Sequence, residues 1–375
     1  MKNKIVLSGV NMTEGGILTV FKQVIKAFAS YKEFELICLV HDKSLFPEFL
    51  EQENIKFIIF KDIKKSWLSR VYFEYIYSWW LSKKIRPQLW LCLHDISANL
   101  YKTPQFVYCH NPSAFYKADA NDWRLDKKFF LFTKFYKFLY KINIKSNVNV
   151  IVQQGWIADS FSKWFGINNL LVARPVSEVN SEFQNQIHSS KKEIVFLYPA
   201  IPRVFKNFEI IIAAVTLLKE KYPEVYKKIR IKFTFSEGMN KYGDQLVQNC
   251  KNYNLEVIEF IGFQTKQELD SLYANKVDFL IFPSKLETWG LPLSEAKHYG
   301  LPILAADLPY AHETVGAYSG CIYFDPNNVE RLARIMIDCI SDTQAYVLNP
   351  ASVPCRWPVI HDWNLLADYL VEKTK

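Results

Sequence analysis

The stretch Phe282 to Asp307, FPSKLETWGLPLSEAKHYGLPILAAD, decides the fold. The apolar run Val277–Phe282 reads as a buried strand that Pro283 stops, and Gly290 with Pro292 then turns the backbone into a helix. Gly300 ends that helix, and Leu301 to Ala306 reads as the next strand. Strand, loop, helix, strand is the repeat of a parallel α/β sheet.

This layout leaves Glu287 in the loop and Glu295 in the first turns of the helix, with exposed backbone N–H groups between them. A helix N-terminus carries about half a positive charge and orphan donors, so phosphate is a natural ligand there. Carboxylates repel phosphate, so the two acids are expected to face neutral hydroxyls, those of a ribose and of a second sugar. A nucleotide sugar presents that pattern of groups. The plainer reading makes Glu295 an acid matched to the helix dipole and Glu287 a solvated loop residue.

Outward from this segment, 375 residues suggest two domains, and 50% hydrophobic residues are enough for ordinary cores. No run approaches the roughly 18 uncharged apolar residues of a spanning helix. The chain opens with Lys2-Asn3-Lys4 and passes straight into a strand rather than a signal-peptide core, so a cytoplasmic location is expected. Seven scattered cysteines with no Cys-x-x-Cys pair read as structural thiols and give no metal site. Charge is uneven: residues 1–180 hold 25 Lys and Arg against 15 Asp and Glu, and residues 181–375 hold 21 against 23. A basic first half suggests an anionic surface as partner, and no nucleic-acid recognition motif is present, so membrane is expected and nucleic acid is not.

In the first half, strand 5–10, the turn at Gly15-Gly16 and a helix with Ile17, Val20, Phe21, Val24 and Ile25 on one face form an anion-cradling unit. Neither the dinucleotide nor the ATP glycine fingerprint is complete there. Strands 36–40, 56–60, 89–93, 106–109, 148–152 and 170–173 continue the rhythm of a doubly wound parallel sheet, with a long aromatic helix over 67–84. His110 stands directly after strand 106–109, at a carboxyl end where ligands of such sheets collect. Residues 124–145 read as one basic amphipathic helix with Lys134, Lys137, Lys141 and Lys145 on a stripe. It fits an anionic membrane surface and a buried helix with a solvated lysine face equally well, and the 72–84 stretch with Trp79-Trp80 and Lys83-Lys84 could extend the same patch. Residues 176–192 are polar and irregular, and read as a linker.

A second series begins with strand 194–198, a loop carrying Arg203 and Lys206, and helix 208–221. Two cations at a strand's carboxyl end beside a helix start suit a diphosphate, although a solvated basic loop would look the same. Strands 229–235, 256–261 and 321–324 and helix 329–340 follow, and 359–373 reads as a closing amphipathic helix.

Glu287, Gly290 and Glu295 within ETWGLPLSEA resemble the Glu-x7-Glu signature of retaining, family-four GT-B glycosyltransferases, the glycosyl transferases group 1. The resemblance spans nearly the whole chain and is strongest over 198–207 and 282–307. It implies an α/β chain of GT-B architecture, two Rossmann-like doubly wound domains facing across a cleft. Residues 1–175 would take the acceptor, 176–192 link, 193–350 hold the nucleotide sugar, and 351–375 cross back to the first domain. It implies that His110 faces the donor sugar and that Glu287 contacts its hydroxyls. Arg203 and Lys206 would grip the diphosphate and Glu295 the ribose, with Gly15, Gly16, Gly290, Leu291 and Phe263 lining the donor site. The spacing of Arg203 and Lys206 is shorter than in many members. The chain has no Asp-x-Asp, so no metal or other cofactor is expected, only a UDP- or GDP-sugar donor. A basic aromatic first domain fits a glycan or polyprenyl-diphosphate-linked acceptor at the inner face of a cytoplasmic membrane. The alternatives are a nucleotide-sugar 2-epimerase of the same fold and a non-catalytic sugar-nucleotide or membrane-binding module.

Overall fold

A computed structural model describes residues 3–63, 66–175, 193–341 and 354–374. The expected linker 176–192, and 342–353 at the end of the second expected domain, lie outside the described residues. Two compact units form: residues 1–111, 135–176 and 355–375 make the first, and 112–134 with 177–354 the second.

In chain order the elements are β1 (Asn3–Ser8), α1 (Gly15–Ala29), β2 (Phe34–Val40), β3 (Ile55–Ile59), α2 (Trp67–Tyr72), α3 (Ser78–Ile85), β4 (Leu89–Cys92) and β5 (Gln105–Cys109). Next come α4 (Ala120–Leu125), α5 (Lys127–Lys141), β6 (Asn149–Val152), α6 (Gly155–Phe165) and β7 (Leu170–Ala173). The second series is β8 (Ile194–Tyr198), α7 (Phe208–Lys221), α8 (Pro223–Tyr226), β9 (Ile229–Phe233), α9 (Lys241–Asn252), β10 (Ile258–Phe260), α10 (Lys266–Asn275) and β11 (Phe279–Phe282). It closes with α11 (Leu291–His298), β12 (Ile303–Ala306), α12 (Pro309–Val315), β13 (Cys321–Phe324), α13 (Val329–Ser341), β14 (Val359–Ile360) and α14 (Trp363–Glu372).

The first unit's sheet runs β14-β7-β6-β5-β4-β1-β2-β3 and the second's β10-β9-β8-β11-β12-β13, with every described pairing parallel. Both faces of a parallel sheet are covered by crossover helices, so its strands are apolar throughout. β4, β5 and β11 are accordingly buried at every position. In the first unit α1 and α14 pack together over one face, Phe21, Ile25 and Phe28 meeting Trp363, Leu366 and Leu370 in a single core.

Four expectations need correction. The 67–84 helix is interrupted by a π turn at Phe73–Tyr77, which buries Phe73 and Glu74. The 124–145 helix breaks between α4 and α5 and stops at Lys141, because Asn143 turns left-handed (φ +55°), so Lys145 leaves the lysine stripe. Val359–Ile360 is a short strand beside β7, and the terminal helix starts only after the Asp362 cap. Residues 112–134, placed by sequence with the first domain, group with the second unit, where Phe129 packs 5.0 Å from Phe205. Among the described residues no helix is long and apolar enough to cross a membrane. Six of the seven cysteines are buried.

Candidate functional site

In the second unit β8 comes first in sequence but third in space. The chain winds outward through β9 and β10 on one side, and through β12 and β13 beyond β11 on the other. Loops leaving two adjacent strands at such a reversal diverge over opposite faces and leave a crevice at their carboxyl ends. The loop after β8 carries Arg203 and Lys206, and the loop after β11 carries Glu287 and Gly290.

These two loops are tied together. Asn207, left-handed at φ +58° and buried, donates from Nδ2 to the carbonyls of Pro283 (3.2 Å) and Pro326 (2.8 Å). The Lys285 amide donates to the Phe205 carbonyl at 2.8 Å. The result is an ion pair between Lys206 Nζ and Glu287, their side chains only 18% and 14% exposed. The cation expected on a diphosphate and the carboxylate expected on sugar hydroxyls therefore meet at one point. Arg203 is 56% exposed and lies 3.8 Å from Asp126, a solvated contact that costs little to break.

Gly290 is required twice over. Its φ of +80° suits only glycine, and a Cβ there would lie 3.2 Å from Leu293 and 3.3 Å from the Phe282 ring. It opens α11 at Leu291, and no side chain caps that terminus. One turn on, Glu295 is buried, its two oxygens accepting from Lys266 Nζ and the Tyr273 hydroxyl, each at 3.0 Å. Burial, then the Glu295 charge, raises the Tyr273 phenol far above its ordinary value, so it stays a donor. Burial alone would lower Lys266, but its bonds to Asp270 and Glu295 more than offset that and raise it. Sequence reasoning missed Lys266 and Tyr273. Their spacing on one face of α10 was visible, but nothing in the sequence pairs α10 with α11. Phe263 is 72% exposed beyond β10.

The first unit reverses between β1 and β4. Gly15 starts α1 at φ +62°, a Cβ on Gly15 or Gly16 would meet nothing within 4 Å, and the preceding Glu14 makes no cap. The helix start is open, as a ligand-facing turn needs. Beside it Ser8 Oγ lies 3.1 Å from His94 Nε2, and His94 Nδ1 faces Arg70 at 3.1 Å and Glu74 at 3.3 Å. Burial, with Arg70 opposing, pushes the Glu74 carboxyl up to about 8, while burial and then the Arg70 charge hold His94 well below its usual range. A neutral acid then faces a neutral imidazole at this buried spot.

His110 follows β5, next to β4, with its side chain 11% exposed. Asp95, left-handed at φ +75°, accepts at Oδ1 from the backbone N–H of His110 (2.7 Å) and Asn111 (2.9 Å). Its Oδ2 accepts from the Tyr136 hydroxyl at 3.0 Å and lies 3.8 Å from His110 Nε2. Asp95 also escaped the sequence reading, since it only becomes a neighbour of His110 through the β4–β5 pairing.

The expected residues thus gather into a group in each unit. Arg203, Lys206, Glu287, Gly290, Leu291 and Glu295 cluster around β8 and β11 of the second, with Phe263 farther out after β10. Gly15, Gly16 and His110 stand at strand ends of the first.

Residues 179–347 match the family model described as glycosyl transferases group 1. The O-antigen chain mannosyltransferase RfbU of Salmonella typhimurium is 24% identical over 260 residues, 68% of this chain and 67% of that protein. Sucrose-phosphate synthase from Thermosynechococcus elongatus superposes with a TM-score of 0.68 at 14% identity, covering 99% of this chain and 94% of the other. Anabaena Alr3699/HepE, solved in complex with UDP-glucose, superposes at 0.60 with 15% identity, covering 99% and 97%. The two doubly wound sheets, the crevice residues and these likenesses lead to one assignment: the chain is a glycosyltransferase of GT-B fold, and its residues 179–347 match the glycosyl transferases group 1.

Proposed function

We propose that the chain transfers a hexose from a UDP- or GDP-sugar to a lipid-linked or surface-polysaccharide glycan, with retention at the anomeric carbon and without a metal. The observation that carries this reading is the Lys206–Glu287 pair at the β8–β11 reversal, below the uncapped start of α11. Sugar transfer builds negative charge on the departing diphosphate. Lys206, Arg203 and the amides following Gly290 supply fixed positive charge where a metal would otherwise serve. On donor arrival Lys206 turns from Glu287 to the diphosphate, and Glu287 is released to accept from sugar hydroxyls. Glu295, steadied by Lys266 and Tyr273, takes the ribose. His110 contacts the sugar near the reacting carbon.

Support for the acceptor class comes from RfbU, an O-antigen chain mannosyltransferase, and for the donor class from HepE, which carries UDP-glucose. The test is a thermal-shift screen against UDP- and GDP-sugars, followed by turnover with a lipid-linked oligosaccharide in excess chelator. Lys206→Ala should cost about 2–4 kcal/mol of transition-state stabilisation, roughly 30- to 1,000-fold in kcat. Glu295→Ala should weaken donor binding chiefly, and His110→Ala should depress turnover chiefly. A chelator-sensitive reaction would remove metal independence, and free sugar product formed without acceptor would favour the epimerase.

A further inference from the structure

The first unit leaves large apolar side chains in solvent on α2, on α3 and on the part of α5 from residue 135 onward. Along α2, the π turn and α3, Leu68, Tyr72, Ile76 and Trp80 are 82%, 53%, 53% and 62% exposed, and on α5 Phe135 and Phe138 are 58% and 66% exposed. Single exposed apolar residues are ordinary, but a contiguous set is not. Residues four apart drift by about 40° per step on a regular α-helix. The π turn at Phe73–Tyr77 holds an extra residue per turn and keeps this stripe in line.

Sheet topology puts the two stripes on the same face of the sheet. The steps β3 to β4 and β5 to β6 run in the same direction along the sheet, whereas β1 to β2 runs the other way. Right-handed crossovers therefore put α2, α3 and α5 on one face of the sheet, opposite α1 and α14. On that face the cations Lys83, Lys84, Lys137 and Lys141 are exposed. The only acid within either helix, Glu74, is 1% exposed. Lys83 Nζ lies 5.2 Å and 5.6 Å from the Trp79 and Trp80 rings, and Lys137 Nζ 4.4 Å from Trp164, so cations and aromatics share one level.

We propose that this face of the first unit docks on an anionic lipid bilayer, the Leu68–Trp80 stripe and Phe138 entering the headgroup boundary while the lysines meet lipid phosphates. A wide apolar stripe edged by lysines, with no exposed carboxylate on α2, α3 or α5, is complementary to that surface. The docking goes beyond the transfer reaction and does not depend on it.

The test is co-sedimentation of the full chain with vesicles of phosphatidylcholine alone and of phosphatidylcholine with phosphatidylglycerol, at low and high salt. Binding should require phosphatidylglycerol and weaken with salt. Leu68→Ser with Trp80→Ser should lower the partition coefficient at least about tenfold, since each loses buried apolar area. Lys83→Glu with Lys84→Glu should lower it by a similar factor of about ten and abolish the preference for anionic vesicles. Phe138→Ser, on a different helix, should also weaken binding if the first pair perturbs its own helix. Nucleotide-sugar thermal shifts should persist in all variants, which separates loss of docking from loss of donor binding. Docking is overturned if the unmodified chain ignores anionic vesicles. It is equally overturned if the variants bind as well as it does, or if the unmodified chain is a dimer that Leu68→Ser dissociates.

Discussion

Asp95 bonds His110 through the backbone and faces its ring, so under the proposed reaction it is a positioning residue for that imidazole. Asp95→Asn keeps the oxygen that accepts the two amides but replaces the charge at 3.8 Å with a neutral amide. The expected outcome is a fall in kcat of about tenfold with KM for the donor little changed. An unchanged kcat would make Asp95 a mere loop staple. Glu74 supplies a second test at this scale. Burial raises its carboxyl to about 8 in the folded chain from an ordinary value of 4.5, so between those pH values the folded chain holds a proton that the unfolded chain has lost. Stability contributed by Glu74 is therefore present at low pH and declines as pH rises from about 4.5 toward 8. Urea unfolding followed at pH 5.5 and pH 8 should show that decline, on the order of a few kcal/mol. Glu74→Gln should flatten it, and an equal slope in both proteins would refute the assignment.

Elements depend on a few positions where no other residue fits. Gly9 joins β1 to the turn before α1, and a Cβ placed on it would lie 2.3 Å from the ring of Phe21. Phe21 is fully buried between Phe46 and the sheet and has nowhere to go. Gly9→Ala should cost about 1–3 kcal/mol through this overpacking, read as a lowered urea midpoint with unchanged slope. The terminal helix α14 was legible from its Trp363, Leu366 and Leu370 spacing, but its partner α1 was not. Leu370→Ala should destabilise the first unit by about 2–5 kcal/mol, because the residue is fully buried against α1. A loss under half a kcal/mol would mean that α14 only lies on the surface.

At the scale of the whole molecule, two sheets with separate cores should melt as two calorimetric transitions rather than one. Under the proposed reaction, a nucleotide-sugar bound by Lys206, Glu287 and Glu295 would stabilise the second unit by about 2.7 kcal/mol at a hundredfold excess over Kd. One transition should therefore rise with donor concentration while the other stays. If both moved equally, donor contacts would have to include the first unit in comparable measure.

Most of the architecture was present in local patterns. Apolar runs of four to seven residues between glycine or proline stops specify buried parallel strands, and the 282–307 segment alone carried the turn, the helix start and the paired acids. Gly290, Glu287, Glu295, Lys206 and His110 could be picked out because each follows a strand end. The pairing of Lys206 with Glu287, the grip of Lys266 and Tyr273 on Glu295, and the hold of Asp95 on His110 could not. They join residues 81, 29, 22 and 15 positions apart, and depend on strand order, on how α10 packs beside α11 and on side-chain reach. The same holds for the aromatic helices, where periodicity showed an apolar face but not whether protein covered it. Local spacing determines which element forms and which faces are apolar, because those follow from one stretch of backbone. Which charges meet, and which apolar faces stay bare, was decided only when β8 met β11 and when the crossovers of the first sheet placed α2, α3 and α5 on one side.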